Sequence, residues 1–194
     1  MQRHIFLTGP TGVGKSKLLR ECLGPILCQA GGFITNAEYG AYRELVGFSL
    51  SPAASAGGVE GCSSECFLDC SRFPPHTNNE VYRSTGVRLL QEAVWYPYAV
   101  LDEFGGFELI IPQFRSALFE LLRSSQPVVG VLKTREESSA MRRALGLGAK
   151  TDAYDSELRK FLEQDENSLV LPLSDSENIH VRNLLKTWVR EYLA

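Results

Sequence analysis

The stretch GPTGVGKS, residues 9–16, constrains the fold of this chain more than any other feature. It matches the pattern G-x-x-x-x-G-K-S in full, between an apolar segment at 4–8 and a segment with helical spacing at 15–23. Glycine adopts backbone conformations closed to other residues, so successive amide groups can surround an anion at the start of a helix. The pattern therefore predicts a strand, a phosphate-binding loop and a helix.

The loop supplies the first predicted site residues. Lys15 would reach the β- and γ-phosphates of a nucleotide, and the Ser16 hydroxyl would ligate Mg²⁺. A glycine-rich turn that merely precedes a helix is the alternative, and the complete pattern between strand and helix argues against it. The predicted phosphate-binding residues are Gly9, Pro10, Thr11, Gly12, Val13, Gly14, Lys15 and Ser16.

A second motif, AVLDEFGGFEL, spans residues 99–109. An apolar strand that ends in an acidic residue would place Asp102 at the carboxyl edge of a parallel sheet, where it would hold Mg²⁺ directly or through water. Adjacent strand residues point to opposite faces, so Glu103 is predicted to have a different role, as the general base that polarises the attacking water. A strand that merely ends in two solvated acidic residues is the alternative.

Phosphoryl transfer usually needs a positive group to stabilise the transferring phosphate. Arg135, which follows the apolar segment PVVGVL at 127–132, is the first candidate, and Arg142 and Arg143 come next. The paired arginines could instead belong to a lid such as nucleotide kinases have, and each of the three could be a solvated surface residue. The segment 133–136, KTRE, does not match the guanine-selecting motif of GTPases, which argues against a dedicated GTPase.

Apolar segments that alternate with helical patterns predict an α/β fold with a mostly parallel central sheet flanked by helices. Segments 33–35 and 46–50 are predicted to be two strands, in a possible hairpin, and 51–62 a surface loop. The 194 residues are expected to form one domain over 1–194, with an atypical, insertion-like segment at about 51–80.

The amino-acid composition limits the kinds of partner that we expect this chain to bind. The net charge of −3 and a pI near 5.7 give no basic footprint, so no nucleic-acid partner is expected. No apolar run approaches the length that spans a bilayer, and the first residues do not read as a signal peptide. We therefore expect no membrane partner and a cytoplasmic location.

A cysteine-rich segment leaves one question open. Cys62, Cys66, Cys70 and His76 include three thiols that would share one face if the segment were helical, and three cysteines with one histidine can bind structural zinc. Three partly buried cysteines without a metal are the alternative. No metal other than Mg²⁺ is predicted.

The motifs GPTGVGKS, GGFIT, VGF and DEFGGFEL, followed by a closing helix, resemble the small nucleoside-triphosphatase family that includes cancer-related nucleoside-triphosphatase. The resemblance covers nearly the whole chain, although only the loop and DEFGGFEL are specific. It implies a P-loop NTPase of the RecA-like branch that hydrolyses several nucleoside triphosphates with Mg²⁺. It also implies that Asp102 and Glu103 lie at the chemistry and that Glu108 lies near the site.

Departures from that family leave the substrate preference open. Gly105, Gly106 and Phe107 stand where the family usually has glycine, then lysine or methionine, then methionine, and the segment 51–80 differs from the usual pattern. We expect Mg²⁺-dependent hydrolysis of ATP, GTP and other nucleoside triphosphates. The alternatives are a nucleotide or small-molecule kinase, and a nucleotide-dependent switch for a protein partner not yet known.

Overall fold

The computed structural model describes residues 2–58, 63–148, 152–175 and 178–193. Its strands are β1 (His4–Thr8), β2 (Ala30–Tyr39), β3 (Leu45–Pro52), β4 (Glu65–Asp69), β5 (His76–Thr77), β6 (Tyr98–Phe104), β7 (Val128–Leu132) and β8 (Ser168–Pro172). Its helices are α1 (Lys15–Leu23), α2 (Asn79–Val81), α3 (Val87–Glu92), α4 (Pro112–Arg123), α5 (Arg135–Ala144), α6 (Asp152–Gln164) and α7 (Ile179–Leu193). A π-helical turn, Tyr82–Gly86, joins α2 to α3, and 3₁₀ turns cover Gly24–Gln29, Ala53–Gly57, Ala93–Trp95 and Phe107–Ile110.

The eight strands form one sheet in the order β5-β4-β3-β2-β6-β7-β1-β8. The five strands from β2 to β8 in this order pair in parallel, whereas β2, β3, β4 and β5 pair with one another in antiparallel fashion. Strand β7 lies between β1 and β6, so one strand separates the phosphate loop from the acidic motif. The predicted α/β fold, a mostly parallel sheet flanked by helices, is confirmed.

Alternating residues of β1 pack against helices on both faces of the sheet. Ile5 and Leu7 belong to a core with α1 and α7, whereas Phe6 belongs to a second core with α4 and α6. A strand covered on both faces needs an apolar residue at nearly every position, which explains the continuous apolar run in this segment. The covered strands place the carboxyl ends of β1, β6 and β7 side by side at one edge of the sheet.

Strand β2 joins the parallel and antiparallel parts of the sheet. Its residues Ala30–Phe33 pair in parallel with β6, and Phe33–Tyr39 pair in antiparallel fashion with β3, which confirms the predicted hairpin. The prediction of a surface loop from 51 onward is wrong for Ala53 and Ala54, which are buried in a 3₁₀ turn. Small apolar side chains were mistaken for loop composition there. Residues 59–62 of that predicted loop lie outside the described ranges.

No α-helix in the described ranges combines the length and the apolar character that crossing a membrane requires. The cytoplasmic location and the single-domain organisation over residues 1–194 stay predictions.

Candidate active site

The phosphate loop connects the end of β1 to the start of α1 at the carboxyl edge of the sheet. Gly12 and Gly14 have φ angles of 80° and 93°, in the left-handed region that other residues rarely adopt. No side chain caps the first backbone N–H groups of α1, which begins directly after Gly14. Uncapped N–H groups at the positive end of a helix are an anion-binding arrangement.

The Lys15 side chain is buried and folds back over the loop. Its Nζ donates hydrogen bonds to the carbonyl oxygens of Gly9 at 2.6 Å and Pro10 at 2.9 Å. The same Nζ lies 3.6 Å from Oε1 of Glu137, which also accepts a hydrogen bond of 2.6 Å from Thr11. The lysine is therefore held at the loop by two carbonyl oxygens and by a carboxylate that also accepts from Thr11.

Ser16 and Asp102 are in direct contact, although 86 positions separate them in the sequence. The Ser16 hydroxyl donates a hydrogen bond of 2.7 Å to Oδ1 of Asp102, and Arg20 donates one of 3.3 Å to Oδ2. Burial raises the pKa of Asp102, while the hydrogen bond from Ser16 and the charge of Arg20 act in the opposite direction. The structure thus brings the two predicted metal ligands together.

Glu103 faces different partners from those of Asp102. Its Oε2 lies 3.2 Å from Nζ of Lys133, and the same Nζ donates a hydrogen bond to the Glu103 carbonyl oxygen. Glu103 has a φ of 65°, a left-handed conformation that a non-glycine residue rarely adopts without a constraint from its surroundings. Adjacent acidic residues therefore point to separate environments.

Lys133 also lies at the site, although it was not predicted there. It directly follows β7, the strand between β1 and β6, and Arg159 donates a hydrogen bond of 2.7 Å to its carbonyl oxygen. A Cβ atom at Gly106 would lie 3.2 Å from Cδ of Lys133 and 2.9 Å from Oε2 of Glu108. The glycine that departs from the usual family pattern thus leaves space for the lysine stem. A lysine at the end of a buried parallel strand was the signal that could have identified this residue.

Glu137 also joins the site without having been predicted. Its backbone N–H and side chain form a capping box with Thr134 at the start of α5. Burial alone would raise the pKa of Glu137, but hydrogen bonds from Thr11 and Thr134 and the charges of two lysines outweigh it and lower the pKa. A Thr followed three residues later by Glu was the sequence signal for this helix start.

Glu108 lies near the site, as the resemblance implied, and it is buried. Its Oε1 accepts hydrogen bonds of 2.7 Å from the backbone N–H groups of both Gly105 and Gly106. The carboxylate therefore holds the turn that follows β6 and lies beside Glu103 and Lys133.

The three candidate arginines all lie on α5. Arg135 is the first residue of α5 and is exposed, and Arg143 is exposed on the same helix. Arg142 is buried and donates a hydrogen bond of 2.8 Å to Asp152. These positions give no support to a role in phosphoryl transfer. The role predicted for Arg135 stays a prediction.

The cysteine segment does not form the helix on which a shared face depended. Cys66 lies in β4, a strand, and Cys62 lies outside the described residues. His76 lies in the next strand, β5. Within the described ranges, no group of three or more histidine, cysteine, aspartate and glutamate side chains is arranged to hold a metal.

A cavity of about 450 Å³ adjoins the loop, Glu103 and Lys133. Its walls come from the antiparallel strands, from the turn after β6 and from α5. We refer to it as the apolar pocket, because most of its exposed wall surface is apolar; the apolar side chains that line it are Ala37, Phe48, Phe67, Phe107, Ala140 and Met141. The pocket was not predicted, since these residues are scattered from position 37 to position 141.

A phosphate loop at the end of one parallel strand, with a serine–aspartate contact to a strand two places away, defines the P-loop NTPase class. A family model described as NTPase matches residues 4–158. The chain therefore belongs to this NTPase family, and the predicted class of enzyme, a nucleoside-triphosphatase, is confirmed at the level of the family.

Named relatives agree with this assignment. The chain is 30% identical to "Nucleoside-triphosphatase THEP1" of Methanosarcina barkeri over 144 residues, which cover 72% of this chain and 82% of the relative. It is 32% identical to the protein of the same name from Methanosarcina acetivorans, over 66% of this chain and 75% of that one. The crystal structure of THEP1 from Aquifex aeolicus, at 17% identity, aligns over 98% of this chain and 99% of its own with a TM-score of 0.64, which supports the fold.

Proposed function

We propose that the chain hydrolyses nucleoside triphosphates, ATP and GTP among them, to diphosphate and phosphate, with Mg²⁺ and with Glu103 as general base. The observation that carries the proposal is the separation of two adjacent carboxylates. Asp102 lies 2.7 Å from the hydroxyl of Ser16, whereas Glu103 lines the apolar pocket beside Lys133. This separation supports the assignment of one carboxylate to a metal ion and of the other to a water molecule.

The loop would bind the triphosphate through backbone N–H groups at the start of α1 and through Lys15. Lys15 now donates to two carbonyl oxygens and lies near one carboxylate. Charged phosphate oxygens accept stronger hydrogen bonds than neutral carbonyl oxygens do. A bound triphosphate would therefore recruit the lysine amine from its present acceptors.

The oxygen atoms of Ser16 and Asp102 fit a magnesium ion. This ion prefers oxygen ligands and usually takes one or two from the protein, the rest from phosphates and water. The described residues contain no three-residue acidic or histidine cluster, so an ion here would share its ligands with the substrate. When bound, magnesium neutralises charge that develops on the phosphate oxygens.

Glu103 would accept the proton of a water molecule while the water oxygen bonds to the γ-phosphorus and the bond to the bridging oxygen breaks. Lys133 contacts both the carboxylate and the carbonyl of Glu103. It would therefore act as a positioning residue that fixes the direction of the carboxylate. Lys15 and Lys133 are the buried cations beside the proposed reaction.

The test is the release of phosphate from ATP, GTP, CTP and UTP with Mg²⁺, with an EDTA control, in the wild type and in Glu103→Gln. Because general bases contribute about 10²–10⁴-fold, we expect a decrease of that size in kcat for the variant. ATP binding, measured by calorimetry, should stay within about threefold of the wild type because Glu103 does not bind the ground state. Glu136→Gln, an exposed change in the first turn of α5, is the matched control.

Three results would reject parts of the proposal. Unchanged turnover in Glu103→Gln would place the base elsewhere. Turnover that persists in EDTA would reject the dependence on magnesium. Tight nucleotide binding without phosphate release in the wild type would reject hydrolysis itself.

A further inference from the structure

The apolar pocket is far larger than the space that one attacking water molecule needs. It has a volume of about 450 Å³, whereas a water molecule occupies about 30 Å³ in the liquid. Pockets that bind small organic molecules have volumes of about 300–1,000 Å³. The size of the pocket beside Glu103 therefore fits a second molecule and not a single attacking water.

The walls indicate what kind of molecule would fit. Phe48 and Phe67 come from the antiparallel strands β3 and β4, and Phe107 comes from the turn after β6. The ring centroids of Phe67 and Phe107 are 6.0 Å apart, and those of Phe48 and Phe67 are 6.4 Å apart. Aromatic rings that line one cavity from several elements favour a planar, largely apolar ligand.

Tyr82 contributes a hydrogen-bonding group to the wall of the pocket. Its side chain lines the pocket and is only 2% exposed. Burial and the nearby carboxylates of Glu108 and Glu103 raise its pKa well above the ordinary value, so the hydroxyl stays protonated and can donate. It can therefore donate a hydrogen bond to a polar atom of a molecule in the pocket.

Charge restricts the ligand further. Glu103, Glu108 and Glu137 line the pocket, and Lys133 is the one cation among the described lining residues. An excess of carboxylates disfavours an anionic ligand and favours a neutral or cationic one. A nucleoside monophosphate, the acceptor of a nucleotide kinase, carries the wrong charge for this pocket.

The pocket also adjoins the place where the phosphate would be transferred. Thr11, the third residue of the loop, and Glu103 both line it. A molecule in the pocket would present its polar end to the same carboxylate that the proposed hydrolysis uses. The geometry points to a phosphoryl-acceptor site for a neutral or cationic aromatic alcohol, so that the chain is also a small-molecule kinase. This inference rests on the proposed role of Glu103 and of the loop.

The transfer step balances without a further reactant. The alcohol oxygen forms a bond to the γ-phosphorus, and the bond from that phosphorus to the β–γ bridging oxygen breaks. The electron pair of the broken bond leaves with the nucleoside diphosphate. The hydroxyl proton passes to the carboxylate of Glu103, and the product is a phosphate monoester.

Three probes of equal size and different charge test the inference. They are para-(hydroxymethyl)benzylamine, which is cationic, benzene-para-dimethanol, which is neutral, and para-(hydroxymethyl)benzoate, which is anionic. Each is incubated at millimolar concentration with ATP, Mg²⁺ and the full chain, and phosphorus NMR distinguishes the monoester from free phosphate. We expect monoester from the cationic and neutral probes at rates about tenfold or more above that of the benzoate.

Two variants of helix α5 test whether monoester formation takes place in the apolar pocket. Ala140→Trp fills the pocket, and Ala144→Trp adds the same side chain one turn later, at an exposed position that does not line the pocket. We expect Ala140→Trp to abolish monoester formation and Ala144→Trp to leave it unchanged. The melting temperature of each variant verifies that the protein is folded.

The outcomes separate this inference from the proposed function. Free phosphate without monoester from any probe would overturn the inference and leave hydrolysis in place. Monoester without phosphate release in the absence of an acceptor would support the inference and reject hydrolysis. Monoester from the benzoate at the same rate, or undiminished in folded Ala140→Trp, would also overturn the inference.

Discussion

The parallel and antiparallel parts of the sheet contribute to the site in different ways. The parallel part, with β1, β6 and β7, carries the loop, Asp102, Glu103 and Lys133 at the ends of adjacent strands. The antiparallel part, β2 to β5, contributes apolar wall residues such as Phe48 and Phe67. The first part therefore holds the groups for phosphate chemistry, and the second shapes the space beside them.

This difference explains why the two parts of the sheet are expected to differ in their selectivity for substrates. Phosphate binding depends on backbone geometry and on a few residues at fixed spacing, so it suits any nucleoside triphosphate. The shape of the pocket depends on side chains brought together from distant positions, so it can differ between relatives that share the same loop. We therefore expect changes in the parallel part to affect all substrates and changes in the pocket to affect only some.

Among the effects that test the difference between the two parts of the sheet, we expect the largest from the loss of Lys15. Lys15→Ala removes a buried cation from the phosphate loop. Because one preorganised donor to a developing charge is worth about 10²–10³-fold, we expect kcat/KM for ATP to decrease by that factor. Phosphate release is the measurement, and Lys17→Ala, an exposed lysine on the same helix, is the control. A loss below about threefold would contradict the assignment of phosphate binding to the loop.

The second expected effect is a loss of stability at acidic pH that originates in the parallel part of the sheet. Burial lowers the pKa of His4, in β1, from 6.5 to about 4. Between these values the unfolded chain binds more protons, so stability is full above pH 6.5 and decreases as the pH falls toward about 4. The loss should amount to about 3 kcal/mol at most, measured by urea unfolding across this pH range.

Two substitutions check the origin of this pH dependence. His4→Leu should flatten the decrease in stability, whereas His76→Leu, an exposed change in the antiparallel part, should leave it unchanged. An equal slope in the wild type and in His4→Leu would show that other groups cause the acid sensitivity.

The smallest expected effect concerns the orientation of Glu103. Lys133→Met removes the cation that contacts its carboxylate and carbonyl oxygens. We expect kcat to decrease by about tenfold, with KM for ATP nearly unchanged, because a positioning residue acts on the reacting group and not on substrate binding. Lys133→Arg should restore part of the rate, and Lys160→Met, at an exposed position of α6, is the control. A rise in KM without a change in kcat would instead assign Lys133 to substrate binding.

The parallel part could be predicted from the sequence in considerable detail. The predicted bounds of β1 and α1 agree with the structure, because a complete loop motif lies between an apolar run and a helical pattern. Helix α5 was not predicted, since its buried residues are Ser138 and Arg142 and its apolar pattern is weak. Strand β4 was missed because five residues between turns give little periodicity.

The site was predictable only where short motifs in the sequence determine it. The contact between Ser16 and Asp102 follows from two motifs that end parallel strands at one edge. Lys133 and Glu137 each had a local signal, the end of a buried strand and the start of a helix. Placing them beside Glu103 and the loop required the strand order, which sequence patterns do not contain. The apolar pocket required side-chain packing between β3, β4 and α5, so no single motif could indicate it.

A crystal structure of the full chain with a non-hydrolysable ATP analogue and Mg²⁺ tests the division of roles most directly. We expect the γ-phosphate beside Lys15 and Thr11, the metal ion at Ser16 and Asp102, and the adenine ring outside the apolar pocket. The adenine ring inside that pocket, among Phe48, Phe67 and Phe107, would contradict the account, because the pocket would then belong to the nucleotide.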